Sequence, residues 1–330
     1  MNESFHVTLI FAAYKDMGSA KYVLFTVVFL IYLASLLVSI SILLLIYLDI
    51  SLHKPMFIFL FSLIANGLIG STAVWPKVMV LLLTDVNTGS YKGCLIQIFL
   101  IGSYGVCNNA MLTVMAYDRF VSIFKPLQYH TIMTPQKVKQ LSFVAYFVPA
   151  TFLLGQVCLT TQISLCQYTI HKIFCDKLSI FSLSCGDSII SHVSNVYGIF
   201  LLIGFGVLPV FLVFLSYWKI VLVTMNASTN ARKKAFETCT PHLIIFINFS
   251  VATFFSIIYN RISDYVPGGL NVFVSINYVL IPPLMHPVIY GWKNKEIQRS
   301  LSKIWRKAIF AVSESLPRVD KSSKVITYCR

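Results

Sequence analysis

Met115-Ala116-Tyr117-Asp118-Arg119-Phe120-Val121 is the stretch that decides the fold. It closes an apolar segment from Leu95 to Tyr117, 23 residues without one charged side chain. A helix of that length crosses a hydrocarbon core about 30 Å thick. The Asp-Arg pair then stands where such a core would end. Charged groups are costly inside a bilayer, so they sit at its boundaries or carry function.

The rest of the chain agrees with a membrane reading. Of 330 residues, 57% are hydrophobic and 12% charged, against about 25% charged in a soluble domain. Mean hydropathy is +0.77. Six further apolar runs fall near 22–48, 55–76, 140–170, 190–218, 241–260 and 266–292. Pro76-Lys77 reads as the end of the second. The run 140–170 exceeds one crossing, so its last part reads as a loop. The expected fold is all-α: a seven-transmembrane helix bundle with a short amphipathic eighth helix. Its divisions are a polar N-terminus (1–21), the bundle (22–292), a surface helix (293–310) and a disordered tail (311–330). In the surface helix Ile297, Leu301, Ile304 and Trp305 recur at helical spacing.

Seven crossings put the two ends on opposite sides. With the N-terminus outside, 19 Lys and Arg fall in inner segments and 7 in outer ones, while the acids split six and six. Of the net +14, +13 then lies inside and +1 outside, as the positive-inside rule requires. The C-terminal segment dominates that count. A net charge of this size would point to nucleic acid in a soluble protein; here it follows the membrane, and no nucleic-acid partner is expected. No Cys-x-x-Cys pair or Cys/His cluster has zinc spacing, so no metal site is expected. No basic segment followed by an apolar run opens the chain, so the first span is expected to act as targeting signal. Asn2-Glu3-Ser4 is a glycosylation acceptor if it lies outside.

Four cysteines fall on the outer side, Cys94, Cys166, Cys175 and Cys185. Disulfides are expected there, with three connectivities open. Cys107, Cys158 and Cys239 fall within spans or at a helix start and are expected buried and reduced.

The longer string Met115-Ala-Tyr-Asp-Arg-Phe-Val-Ser-Ile-Phe-Lys-Pro-Leu-Gln-Tyr129-His130 resembles the third-helix signature of rhodopsin-like G-protein-coupled receptors, in the form typical of odorant receptors. Phe120, Ser122 and Phe124 stand where that branch has Tyr, Ala and Cys. Leu52-His-Lys-Pro-Met56, Lys234-Ala-Phe-Glu-Thr-Cys239-Thr-Pro-His242-Leu243 and Pro282-Pro-Leu-Met-His286-Pro-Val-Ile-Tyr290-Gly291 resemble three more strings of the same family, as does Phe174-Cys175-Asp176. The helix-six run Ile247-Asn248-Phe249-Ser250-Val251 is closer to the aquatic-vertebrate branch.

The resemblance implies an odorant receptor without a cofactor; a non-olfactory receptor of the same superfamily is the alternative, with a transporter or channel behind it, and no nucleophile–base set or metal cluster points to an enzyme. It implies a plasma-membrane protein, multi-pass, with its N-terminus outside. Its partners would be a small-molecule odorant, a heterotrimeric G protein of the Gs/Golf type, membrane lipid and an export chaperone. It implies disulfides Cys94–Cys175 and Cys166–Cys185. It assigns coupling and activation to Asp118, Arg119, Tyr217, His242 and Tyr290, with both phenols meeting near Arg119 when helix six moves out. It places the ligand against Ile101, Gly102, Gly105, Val106, Leu201, Phe205, Ser250, Thr253, Ile257, Ile276 and Val279. With Ile101 where amine receptors keep an Asp, a biogenic amine does not fit. Departures are Ser39, Gly67 beside Asn66, Tyr146, Ser250 and His286, which put sodium modulation in doubt and give helix six a different switch. His286 is expected as a neutral, hydrogen-bonded imidazole.

Overall fold

The structure, a computed structural model, describes residues 7–14, 18–84, 86–186, 188–226, 228–262 and 268–315. Asn2 and the tail beyond 315 lie outside the described residues. Seven helices among them are long and apolar enough to cross a membrane: α1 Ala20–Leu48, α2 Pro55–Leu83, α3 Tyr91–Phe124, α4 Pro135–Thr161, α5 Ile189–Met225, α6 Ala235–Tyr259 and α7 Val272–Lys293. An eighth helix, α8, Lys295–Ser315, follows.

Their apolar sides point outward as often as inward. On α1, Val23, Leu30, Leu37 and Leu44 recur every seven residues and are exposed, while Ser35, Ser39, Ile42 and Leu45 are buried. Such a stripe is costly in water and suits lipid, where helix contacts rest on close packing and small residues. The starts of the helices are capped. Ser90 accepts from Gly93 N, Thr134 from Lys137 N and Ser188 from Ser191 N, each near 3.1 Å, which satisfies amides that have no intrahelical partner. Pro55 and Pro135 sit in first turns, where the missing N–H is not needed.

Several sequence boundaries move. Pro76-Lys77 does not end the second span. The helix breaks after Thr72 and resumes as Trp75–Leu83, with Pro76 in the new first turn. The third helix runs 34 residues, past Tyr117, because a helix entering water keeps its own hydrogen bonds. For the same reason Lys137 and Lys139 lie in α4, Lys219 in α5, and Arg232 and Lys233 in a helix spanning Thr229–Ile262 that contains α6. α8 reaches Ser315, five residues beyond 310. α5 loosens into a π turn over Ile203–Val207, just before Pro209. Cys107 and Cys239 are buried, but Cys158 is exposed on the outer face of α4, contrary to the expectation from its place in an apolar run.

The N-terminal segment also departs from a plain polar leader. Thr8–Phe11 forms β1, the middle strand of a three-stranded sheet. It pairs antiparallel with β2, Thr88–Ser90, and parallel with β3, Thr169–Ile170. Leu9 and Phe11 are buried beneath it. Disulfides Cys94–Cys175 and Cys166–Cys185 hold the loop between α4 and α5 at this end. Gln97 adds a polar tie, accepting from Cys175 N and donating to Ala73 O, both at 2.8 Å. Asp176 caps the turn Lys177–Phe181 through Ser179 N at 2.7 Å and pairs with Lys172 at 2.7 Å. Burial alone would raise the Asp176 carboxyl, but Lys172 and the Ser179 donors outweigh it and hold it below the usual range. A lowered carboxyl contributes stability that is complete above its unfolded value, about 3.9, and is lost only as pH falls through the folded one. This loop therefore keeps its tie throughout the neutral range.

Candidate functional site

Two buried clusters fill the bundle, one at the disulfide end and one at the opposite end, where Arg119 lies. The Arg119 end brings together the side chains that sequence assigned to coupling. Arg119 donates to Asp118 Oδ2 through Nη2 at 2.5 Å and Nε at 3.0 Å. Tyr129, from the turn after α3, donates to the other oxygen of Asp118 at 2.7 Å. Asp118 is fully buried and Arg119 nearly so. A buried carboxylate needs these donors, because an unpaired buried charge is expensive.

Tyr217 of α5 meets His242 Nδ1 at 2.5 Å, with the two rings stacked at 17°. The other ring nitrogen, Nε2, lies 3.1 Å from Leu112 O on α3. A carbonyl only accepts, so Nε2 carries the proton. The neutral imidazole then accepts from the Tyr217 hydroxyl at Nδ1, and both nitrogens are satisfied. One side chain of α6 thereby clasps α5 and α3. Leu112 is seven residues before Arg119, about two turns, or ~10 Å along the helix. Pro241, directly before His242, removes a backbone donor within α6 and so provides a place to bend.

Tyr290 of α7 is fully buried in the same cluster as Tyr217, and its hydroxyl has no hydrogen-bond partner among the described residues. The two phenols thus do not share a partner in this conformation. Outside this core, α8 is tied back by Lys54–Glu296 at 2.5 Å, Lys295–Glu237 at 3.0 Å and Ser300 Oγ on Asp49. The Ser300 and Ser51 hydrogen bonds hold the Asp49 carboxyl down to about 2. Exposed pairs of this kind contribute little.

Within the Arg119-end cluster, where Tyr278 also packs on the other one, lies an aromatic contact that sequence reading did not name. Tyr104 of α3 meets Phe249 of α6 and Tyr278 of α7 edge-on, with ring centroids 5.7 and 5.8 Å apart. Phe249 in turn meets His286 edge-on at 6.2 Å. Behind Tyr104, Asn66 donates to Asn108 Oδ1 at 2.8 Å and to Tyr104 O at 3.1 Å. Gly67 lies against Pro283. Phe249 supplies a buried aromatic one position before Ser250, so the aromatic missing at Ser250 is present on α6 after all. His286 is fully buried, yet neither ring nitrogen meets a protein hydrogen-bond partner among the described residues, contrary to expectation. Tyr146, in place of a helix-four Trp, donates to Ser62 O at 2.6 Å and joins α4 to α2.

The ligand-wall residues are split. Ile101 and Val279 are buried in the disulfide-end cluster, with Ile276 packed on it. Gly102 lies under Leu153, and Gly105 under the Tyr278 hydroxyl. These two glycines make room for neighbouring helices. Val106 and Ile257 are half-buried, and Leu201 is buried. Phe205 packs on Phe152 at 5.6 Å. Ser250 and Thr253 are buried, and their hydroxyls have no protein partner among the described residues. Of the named set, those two are the polar side chains without a protein partner among the described residues. The missed residues, Tyr104 and Phe249, carried a faint sequence signal only: each is an aromatic within four residues of a named wall position.

Comparison with known proteins fits this arrangement. A family model described as Olfactory receptor matches residues 28–308. Human "Olfactory receptor 7C1" is 31% identical over 311 residues, covering 94% of this chain and 96% of its own length. Human "Olfactory receptor 5AN1" is 31% identical over 300 residues, covering 90% and 95%. Human "Olfactory receptor 52J3" is 32% identical over 279 residues, covering 84% and 88%.

Proposed function

The chain belongs to the olfactory receptor family of G-protein-coupled receptors, and from that premise we propose that it detects a small organic ligand inside its bundle and activates a Gs/Golf-type G protein. It is a multi-pass membrane protein and not an enzyme. In this reading it works at the plasma membrane with its N-terminus outside, which the concentration of Lys and Arg on the Arg119 side supports. Export to that membrane uses a chaperone, and Asn2 carries the glycan.

The observation that carries the reading is the clasp at His242. In the closed state α6 is held to α3 through Leu112 O and to α5 through Tyr217. A ligand reaching Ser250 and Thr253, two to three turns away on α6, pays the cost of rotating that helix about Pro241. His242 then leaves Leu112, the Tyr217 hydroxyl is released, and Tyr217 and Tyr290 turn toward Arg119. Arg119 leaves Asp118 and presents its guanidinium to the G protein. The ligand acts only through its different affinity for the two states. An apolar wall with two free hydroxyls suits a neutral molecule held by shape and one or two hydrogen bonds.

The test is cAMP in cells that co-express the chain, an olfactory-type Gs protein and an export chaperone, exposed to a panel of small organic odorants. A response is expected from the wild type. Arg119→Ala should lower it at least tenfold at equal surface staining. An undiminished response in that variant would remove Arg119 from the mechanism.

A further inference from the structure

We propose that the basic side of α8 binds the phosphorylated inositol headgroup of an anionic lipid, in the leaflet at the Arg119 end of the bundle. Lys295, Gln298, Arg299, Ser302, Lys303 and Arg306 line an open groove of about 750 Å³ along that side. Small-molecule sites span roughly 300–1,000 Å³. All six residues are exposed. They recur every three or four positions, the spacing of one helix face.

The charges make the case. Lys295 and Arg299, and again Arg299 and Lys303, are like charges four positions apart, about 5–6 Å between Cβ atoms, a spacing that destabilises a helix. The carboxylates nearby do not relieve them all. Glu296 is taken by Lys54, Glu237 by Lys295, and Asp49 by Ser300, with Lys303 adding to the field at Asp49. Arg299 and Arg306 make no side-chain ion pair or hydrogen bond among the described residues. The Gln298 amide nitrogen and the Ser302 hydroxyl are spent on backbone carbonyls of Trp292 and Gln298. The groove therefore offers cations, two of them guanidinium forks that match phosphate oxygens in pairs. A bound polyanion turns the repulsion along the stripe into attraction.

The neighbouring face makes the source a lipid. Leu301 and Ile304 are exposed apolar residues of the same helix, while Ile297 is fully buried against the bundle. Round the helix Leu301 lies about 60° from Gln298 and about 100° from Ser302, so an apolar seam runs beside the basic stripe. A headgroup seated on the stripe has its acyl chains beside Leu301 and Ile304. A free inositol phosphate would use the stripe alone. Four or more cations on an amphipathic helix suit a multivalent headgroup, whereas phosphatidylserine, with a single net charge, meets one of them at a time.

The inference rests on the orientation given above and not on G-protein activation, so its test needs no G protein and fails separately from the signalling reading. The full chain is placed in phosphatidylcholine nanodiscs doped with phosphatidylinositol bisphosphate or, at matched charge, with phosphatidylserine. Retained lipids are counted by native mass spectrometry. The bisphosphate lipid is expected to be retained at a doping at least tenfold lower than phosphatidylserine. Arg299→Gln with Arg306→Gln should raise the doping needed at least tenfold without lowering the unfolding temperature, since both side chains are exposed. Lys137→Gln with Lys139→Gln removes the same charge from exposed positions of α4 and should leave retention within twofold of wild type. Equimolar soluble inositol trisphosphate should not displace the lipid. Wild-type retention by the α8 variant, equal loss in the two double variants, or equal retention of phosphatidylserine would each overturn the proposal. Displacement by the soluble trisphosphate would overturn the lipid source.

Discussion

Gly70→Ala is expected to remove most of the folded protein, and Gly70→Val nearly all of it. A Cβ at Gly70 would stand 2.5 Å from Tyr104 Cγ and 2.7 Å from Tyr104 Cβ and Cδ2. Those atoms are the root of the side chain, so no rotation about its far end relieves the overlap. Nor can the ring retreat, because Tyr104 is fully buried between Phe249 and Tyr278. Overpacking a filled site costs about 1–3 kcal/mol, and the added branch of Val raises it further. A few kcal/mol is a large part of the stability of an ordinary domain. Gly67→Ala is the control: its Cβ would lie 3.4 Å from Pro283, an ordinary contact. Surface staining and the unfolding temperature in detergent should both fall for Gly70→Ala and stay near wild type for Gly67→Ala. Equal behaviour of the two variants would contradict the packing described for Tyr104.

Cys94→Ser is expected to be the second severe change, and worse than Cys166→Ser. The Cys94–Cys175 bridge joins residues 81 apart, whereas Cys166–Cys185 joins residues 19 apart. In the chain-entropy account the longer closure contributes roughly 4–5 kcal/mol and the shorter one about 3 kcal/mol. The longer bridge also fixes the strand of loop that Gln97 holds through Cys175 N. Without it, the loop and the sheet beside it lose their anchor on α3. Surface staining after expression should fall at least tenfold for Cys94→Ser and by less for Cys166→Ser. The opposite order would mean that the small loop, and not the tie to α3, organises this end.

How much of this was legible in the sequence depends on what each residue had to reveal. A crossing of the membrane is a property of composition over some twenty residues, so the seven helices could be read from runs such as Leu95–Tyr117. Their ends could not. Lys137 and Arg232 look like loop residues, yet a helix leaving the bilayer loses nothing by continuing into water. Thr8–Phe11 is four residues long, too short for a period of two to stand out. Which way a residue faces was the harder question. In lipid both faces of a helix are apolar, so hydropathy does not separate Tyr104, at the centre of the bundle, from Phe255, on its outside. Gly102 and Gly105 were placed on the ligand wall by the family resemblance, with close helix packing as their other possible role. The structure shows that Leu153 and Tyr278 take the space beside them. His286 was expected to be hydrogen-bonded because buried imidazoles usually are, but a sequence does not tell which groups lie across from it.

The clasp at His242 is the claim on which the signalling account depends, and it can be tested without a known ligand. The measurement is basal cAMP for His242→Ala against wild type, co-expressed with the olfactory-type Gs protein and normalised to surface staining. Losing two hydrogen bonds, each worth about 0.5–1.5 kcal/mol net, shifts the closed-to-open ratio by roughly five- to 150-fold. If these bonds hold the closed state, basal cAMP rises several-fold. If His242→Ala reaches the surface and its basal cAMP is unchanged or lower, the clasp is not what keeps this receptor off.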